Sequence, residues 1–317
     1  MAQQAVGRFA PSPSGRLHLG NLFCFLLAWL SARRQGGRVI LRIEDLDPAR
    51  SKREYTEQLQ RDLALLGLVW DEGGLDAAGP HAPYEQSRRA ALYEQALAQL
   101  RAQELVYPCF CSRAQLHAAS APHAADGEVV YAGTCRNLTD EEIRRRTLVR
   151  PPALRLRVPD EEMVFQDLHY GRTTQNLAQA CGDFILRRSD GVFAYQLAVV
   201  VDDAEMGITE VVRGRDLLAS TPRQLYLYRL LGFPAPRFGH LPLLLAPDGR
   251  RLSKRDDDLS LDALLARGLS PAAITGALGF AAGLLERPEP ATPDQLIPLF
   301  SWDKLPREDM RLPSSLF

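Results

Sequence analysis

A chain of 317 residues with 46% hydrophobic content carries enough apolar side chains for one large or two moderate domains around a substantial core. Lys and Arg number 38 against 39 Asp and Glu, so the formal charge of −1 excludes a whole-chain basic field, and any nucleic-acid surface is a local patch. The apolar run LFCFLLAWL (22–30) is shorter than the roughly 20 residues of a membrane-spanning helix, PSPSG before it does not fit a signal peptide, and five cysteines make a poor disulfide framework, so a cytoplasmic protein is expected.

In chain order, residues 17–34 carry leucines, phenylalanines and Trp29 densely enough for a buried helix, closed by RRQGG. RVILRI (38–43) follows as a buried β-branched strand, and strand, helix, strand opens a parallel α/β sheet. REYTEQLQRDLALLGL and SRRAALYEQALAQLRAQ repeat apolar residues at three- and four-residue spacing and predict two more helices. From 108 to 152 the composition turns to cysteine, glycine, alanine and proline, as in an inserted module, with a helix start at LTDEEIRRR where Thr139 and Glu142 fit a capping box. ALRLRV and the strands expected around DFILRRSDGVFAYQLAVVVDD, with SDG as a hairpin turn, resume the sheet. STPRQLYLYRLLG predicts a helix, and the stretch after RLSKRDDD predicts short helices interrupted by prolines.

RFAPSPSGRLHLGN (8–21) stands where the first strand gives way to the first helix, the place at which an α/β sheet offers backbone N–H groups and a positive dipole end to phosphate. Gly15 and Gly20 permit close approach of a nucleotide, and His18 is placed to donate to a phosphate oxygen as it gathers charge. Taken alone, HLG is equally a capped loop. RLSKRDDD (251–258) sets Lys254 and two arginines in a polar loop suited to closing over a triphosphate, although by itself it is equally a solvated charge run.

Both stretches in this order resemble the two ATP signatures of the class I aminoacyl-tRNA synthetases, here spelled HLGN (18–21) and RLSKR (251–255). Asn21 stands in place of the second histidine of the first signature, and Arg251, Leu252 and Arg255 in place of the usual lysine, methionine and serine of the second. The flanks RFAPSPSGRLHLG, LRIEDLD, VVRGRDLLASTPRQLYLYRLLG and SKRDDDLSLDALLARGLSPAAI are similar to the glutamyl branch, over about residues 6 to 280.

The resemblance implies an α/β fold: a Rossmann-like doubly wound parallel sheet in two halves (1–107 and 153–250), a small zinc-binding insertion (108–152), and the second signature loop with a short helical C-terminal region (251–317). It implies an L-glutamate site at Arg8, Ala10, Ser12, Glu44, Tyr195 and Arg213, and an ATP site at His18, Gly20, Asn21, Ser253 and Lys254, with His18 and Lys254 stabilising the reacting phosphates alongside Mg²⁺. The residue types agree: Arg8 and Arg213 suit bidentate carboxylate binding, and Glu44 at a strand end suits an ammonium. Without the resemblance, Arg213 and Asp216 read as a surface ion pair, and Glu44 and Asp45 as strand-end solvation.

In CFCSRAQLHAASAPHAADGEVVYAGTC (109–135), Cys109, Cys111 and Cys135 with one more donor make a closed tetrahedral zinc site that would staple an insertion too small for its own core. Spacing nominates His117 or His123 as the fourth ligand, since imidazole is the commoner one; resemblance to the bacterial glutamyl-type enzymes points to Tyr131; three unliganded thiols are the alternative. Cys24 and Cys181 read as core residues.

The chain is expected to lack the large helical anticodon-binding region of a full glutamyl enzyme, as the short glutamyl paralogues do. That likeness implies transfer of activated glutamate to the queuosine base in the anticodon loop of tRNA(Asp), by a monomer with no membrane partner. The alternatives are ordinary charging of a tRNA 3′ end and a catalytically silent RNA-binding paralogue. Arg144, Arg145 and Arg146, with Arg33 and Arg34, are candidate phosphate contacts.

Overall fold

In the computed structural model, residues 4–112, 115, 130–246, 248–250, 252 and 259–311 are described. Strand β1 (Val6–Phe9) runs into helix α1 (Leu19–Arg34), which returns to β2 (Arg38–Leu41) parallel to β1, Val6 opposite Arg38 and Phe9 opposite Leu41. Helix α2 (Arg53–Leu65) then crosses to the short β3 (Glu72–Gly73), parallel to β2. Helix α1 is apolar on nearly every face because it is enclosed, with Leu19, Leu22, Phe23, Leu26, Leu27 and Leu30 all buried.

After helix α3 (Ala90–Ala102), strand β4 (Val106–Cys109) leads to the cysteine-bearing segment and helix α4 (Asp140–Thr147), and β5 (Ala153–Leu156) returns antiparallel to β4. The capping box at α4 is the one expected: Glu142 N–H donates to Thr139 Oγ1 at 3.3 Å, and Thr139 N–H donates to Glu142 Oε2 at 2.9 Å. A hairpin of β6 (Glu162–Asp167) and β7 (Gly171–Asn176) follows, then β8 (Phe184–Arg187), which pairs antiparallel with β5.

The structure departs from expectation after the SDG turn. Arg187 does bridge Phe193 antiparallel across it, but Tyr195–Glu205 is a helix, α5, and not a strand. A short apolar run has no periodicity to separate buried strand from buried helix. Here Leu197, Ala198, Val199, Val200 and Val201 are all buried, so packing on every face outweighs the strand preference of three consecutive valines.

Strands β9 (Glu210–Gly214) and β10 (Arg237–Leu241) are parallel and joined by helix α6 (Thr221–Leu231), and β6 lies on the far side of β10. The parallel β1–β2–β3 sheet and the mixed β7–β6–β10–β9 sheet meet where β1 runs beside β9: Thr209 N–H donates to Val6 O at 3.0 Å, and Val6 N–H donates to Thr209 Oγ1 at 2.8 Å. The carboxyl ends of β1, β2, β9 and β10 therefore open on one crevice, the place where α/β sheets bind ligands. The C-terminal region is built of short helices, as expected, with Pro288 and Pro290 in the break between two of them, while Pro271 and Pro293 occupy the first turns of Pro271–Ala281 and Pro293–Leu296, behind Ser270 and Thr292 as N-caps. Among the described residues no helix is long and apolar enough to cross a membrane.

Candidate active site

The crevice holds a cavity of about 490 Å³. Arg8 from β1, Ala10 and Ser12 from the loop after it, Glu44 just past β2, Tyr195 at the start of α5 and Arg213 from β9 all line it, as do His18, Gly20 and Asn21 at the start of α1. The prolines shape this wall by accepting hydrogen bonds at their carbonyls: Glu44 N–H donates to Pro11 O at 2.9 Å, and Lys52 N–H donates to Pro13 O at 3.1 Å. Asn21 Oδ1 accepts from the His18 backbone N–H at 3.3 Å, which ties the first signature to the helix start. A Cβ at Gly20 would come within 3.1 Å of the His18 ring, so glycine there lets the imidazole fold against the helix without being pushed aside.

Ser253 and Lys254 lie outside the described residues, but the chain on either side of them reaches this wall. Leu252 lines the cavity, and Ser260 bridges His18.

The floor is a buried ionic network. Arg42, fully buried, donates to Asp203 at 2.6 Å and to Glu44 at 3.1 Å, while Arg8 donates to Val212 O at 3.1 Å and sits 3.5 Å from Asp203. Asp202, in the last turn of α5, accepts from Arg89 at 2.6 Å, Gln86 at 2.7 Å and Tyr93 at 2.8 Å. Burial raises the Glu44 carboxyl above its usual range against the pull of Arg42 and Arg8. Arg213 differs from both other arginines: it is 5% exposed, yet among the described residues no carboxylate reaches ion-pair distance of it. Its donors go to neutral acceptors, His240 Nε2 at 3.1 Å, Tyr195 Oη at 3.3 Å and Thr221 Oγ1 at 2.8 Å, and burial pulls its pKa below the usual arginine value. A buried guanidinium without a counter-ion is a receptor for an anion. Arg213 is thus no surface ion pair, and Glu44 no solvated strand end.

The family profile of tRNA synthetases class I (E and Q), catalytic domain, matches residues 4–280. The chain belongs to that family. Over 311 residues, 97% of this synthetase and 96% of its relative, it is 56% identical to the glutamyl-Q tRNA(Asp) synthetase of Symbiobacterium thermophilum. It is 50% identical to the glutamyl-Q tRNA(Asp) synthetase of Nitratidesulfovibrio vulgaris over 98% of this chain and 96% of that one. A crystal structure of a glutamate tRNA ligase from Elizabethkingia meningosepticum, in complex with its amino acid, superposes with a TM-score of 0.85 at 30% identity, over 99% of this chain and 68% of that one.

Beside the expected residues, the synthetase places Arg42, Asp203, Asp167 and His240 at or behind the pocket, and sequence reasoning missed all four. The one available signal was two acids ending an apolar run, VVVDD, which is costly unless both are paired inside. Arg33 belongs to the scaffold: it donates to Val69 O at 3.1 Å, pairs with Asp71 at 2.9 Å and lies over Trp29. Arg34, Arg144 and Arg145 are exposed and Arg146 half-buried.

A second cluster lies off the pocket. The sulfurs of Cys109, Cys111 and Cys135 all fall within 4.8 Å of one another, with Cys111 and Cys135 at 3.6 Å. Thiolates around a tetrahedral zinc ion stand about 3.8 Å apart, given Zn–S bonds of about 2.3 Å. Tyr131 Oη joins them, donating to Cys109 Sγ at 3.5 Å and accepting from Cys135 N–H at 2.7 Å. Gly182 admits it: at φ 64°, a Cβ there would come 2.4 Å from the Tyr131 carbonyl oxygen. Burial would raise the Cys109 thiol, but Arg155 and the Tyr131 hydroxyl outweigh it and bring it below its usual value. Burial and the neighbouring sulfurs push Cys111 up to about 12. Cys111 would give up its proton only to a bound cation, and the spacing and chemistry of the four donors fit a tetrahedral zinc ion. His117 and His123 lie outside the described residues.

Proposed function

We propose that this synthetase activates L-glutamate with ATP and transfers it to the queuosine base in the anticodon loop of tRNA(Asp). The observation that carries the first half is Arg213, a buried cation with no carboxylate at ion-pair distance among the described residues, facing the same cavity as Glu44: a wall with an uncompensated cation on one side and a carboxylate on the other suits an amino acid bearing an extra carboxylate. Arg8 and Arg213 hold glutamate carboxylates, Glu44 its ammonium, and Ala10, Ser12 and Tyr195 close the wall. The α-carboxylate oxygen attacks the α-phosphorus of ATP, the bond to the bridging oxygen breaks, and pyrophosphate leaves. His18 and Lys254 stabilise the charge that develops, with Gly20, Asn21 and Ser253 against the nucleotide, and Mg²⁺ supplies further charge neutralisation on the phosphates. A hydroxyl of the queuosine cyclopentenediol then attacks the glutamyl carbonyl carbon and AMP leaves, so no protein nucleophile is required. The acceptor is supported by identity to the glutamyl-Q tRNA(Asp) synthetases along nearly their full lengths.

ATP–pyrophosphate exchange tests the activation half. Exchange that depends on glutamate, with glutamine and aspartate slower by at least about 100-fold, is the expected result; exchange driven equally by glutamine would refute the charge-based pocket.

Cys109, Cys111, Tyr131 and Cys135 hold one structural zinc ion, which supplies a cross-link between β4 and the chain ahead of α4. Elemental analysis of the purified protein should return about one zinc per chain, falling to near zero in Cys135→Ser together with a lower melting temperature. Tyr131→Phe separates phenolate ligation from hydrogen bonding, because a protein that keeps its zinc on that substitution does not use the phenolate.

A further inference from the structure

Three adjacent strands carry a polar chain that ends at the pocket. Asp167 closes β6, His240 lies on β10 and Arg213 on β9, with His240 and Arg213 in register as neighbours. Asp167 and His240 are fully enclosed, at 1% and 0% exposure. His240 Nδ1 stands 2.6 Å from Asp167 Oδ2, and its Nε2 stands 3.1 Å from Arg213 Nε.

Only one arrangement of protons satisfies these contacts. Arg213 Nε–H can only donate, so Nε2 of His240 must present its lone pair. The ring proton then sits on Nδ1 and is donated to Asp167. Asp167 has one oxygen for this purpose, since Oδ1 already accepts from the N–H groups of His169 and Tyr170, each at 2.9 Å. Thr221 braces the same guanidinium: its oxygen accepts from Arg213 Nη2 at 2.8 Å and lies 3.2 Å from His240 Nε2. The charged groups around the ring are Asp167 from β6, Arg213 from β9 and Arg8 from β1. Burial first, then Arg213 and Arg8, outweigh Asp167 and bring the imidazole down to about 4.

We propose that Asp167 and His240 are positioning residues for glutamate: Asp167 holds His240 in the neutral Nδ1–H tautomer, and the Nε2 lone pair fixes the Arg213 guanidinium in the pocket wall. The proposal rests on the glutamate pocket described above. An acceptor carrying no net charge leaves the cation unneutralised, so its attraction is kept for the substrate carboxylate, while the ring removes the rotational freedom that binding would otherwise have to freeze. A carboxylate in place of His240 would hold Arg213 as firmly and compete with the substrate for it.

Asp167→Asn is nearly isosteric and tests this directly. The backbone N–H groups of His169 and Tyr170 keep the amide oxygen where Oδ1 was, so the NH₂ group faces Nδ1 and donates to it. The ring proton then moves to Nε2 and opposes Arg213 Nε–H. The expected result is a rise of about 10- to 100-fold in KM for glutamate in pyrophosphate exchange, with KM for ATP within about two-fold of wild type. His240→Gln, whose Oε1 can accept from Arg213, should recover most of the glutamate affinity that His240→Leu loses. In ¹⁵N-labelled wild-type protein at neutral pH, nitrogen shifts should report Nδ1 protonated and Nε2 bare, a measurement that needs no variant to fold. A residue with a merely structural part would lower the melting temperature without shifting glutamate KM selectively.

Wild-type His240 protonated on Nε2 would overturn the relay. So would an unchanged glutamate KM in Asp167→Asn while the wild type shows normal glutamate-dependent exchange. Absence of that exchange in the wild type itself would instead bring down the pocket reading, and the relay with it.

Discussion

Alanine at Arg213 should lower kcat/KM for glutamate in pyrophosphate exchange by about 30- to 4,000-fold, corresponding to the roughly 2–5 kcal/mol lost when one partner of a buried, hydrogen-bonded charge pair is removed. The substrate carboxylate would enter a wall with no cation to meet it, and would lose water without compensation. The unliganded protein should suffer far less. Arg213 has no carboxylate partner among the described residues, so its removal relieves an unpaired buried charge while costing the hydrogen bonds to Thr221, Tyr195 and His240. Binding and stability therefore move apart. Thermal denaturation beside the exchange assay checks it: a large loss of stability with an unchanged glutamate KM would make Arg213 part of the scaffold only.

The second large effect belongs to Lys254. Lys254→Ala should reduce the rate of exchange on the order of 10²–10³-fold with little change in glutamate KM, because its cation is asked to act on charge that appears as pyrophosphate departs. Two described neighbours in the chain support that placement: Leu252 in the cavity wall, and Ser260 bridged to His18. Undiminished exchange in the variant would remove Lys254 from the ATP site.

What was legible in the chain beforehand was local. The helix behind HLGN, the Thr139 capping box and the cysteine grouping each depend on residues within a few tens of positions, and each is present in the structure. The six residues of the expected glutamate site do line one cavity, because the signatures that carry them stand at the ends of parallel strands. The support beneath them was not legible. Arg42 meets Asp203 across 161 positions, and His240 meets Asp167 across 73, pairings that depend on the order of strands in the sheet and leave no spacing to read. The same holds for α5, whose valines suggested a strand until the enclosing layers were known. Buried charge in an apolar run was the usable clue, and it pointed to the need for partners without saying which.

The acceptor is the central claim, and labelled glutamate decides it. Two matched tRNA(Asp) samples, one with queuosine and one with guanosine at the anticodon position, are trimmed of the 3′-terminal adenosine, which removes the ordinary charging site and leaves the base diol intact, and are then incubated with enzyme and ATP. Label on the queuosine sample alone, surviving the trimming, is the predicted result. Equal labelling of untrimmed samples, abolished when the 3′-terminal adenosine is removed, would contradict it and assign the activated glutamate to ordinary 3′ charging.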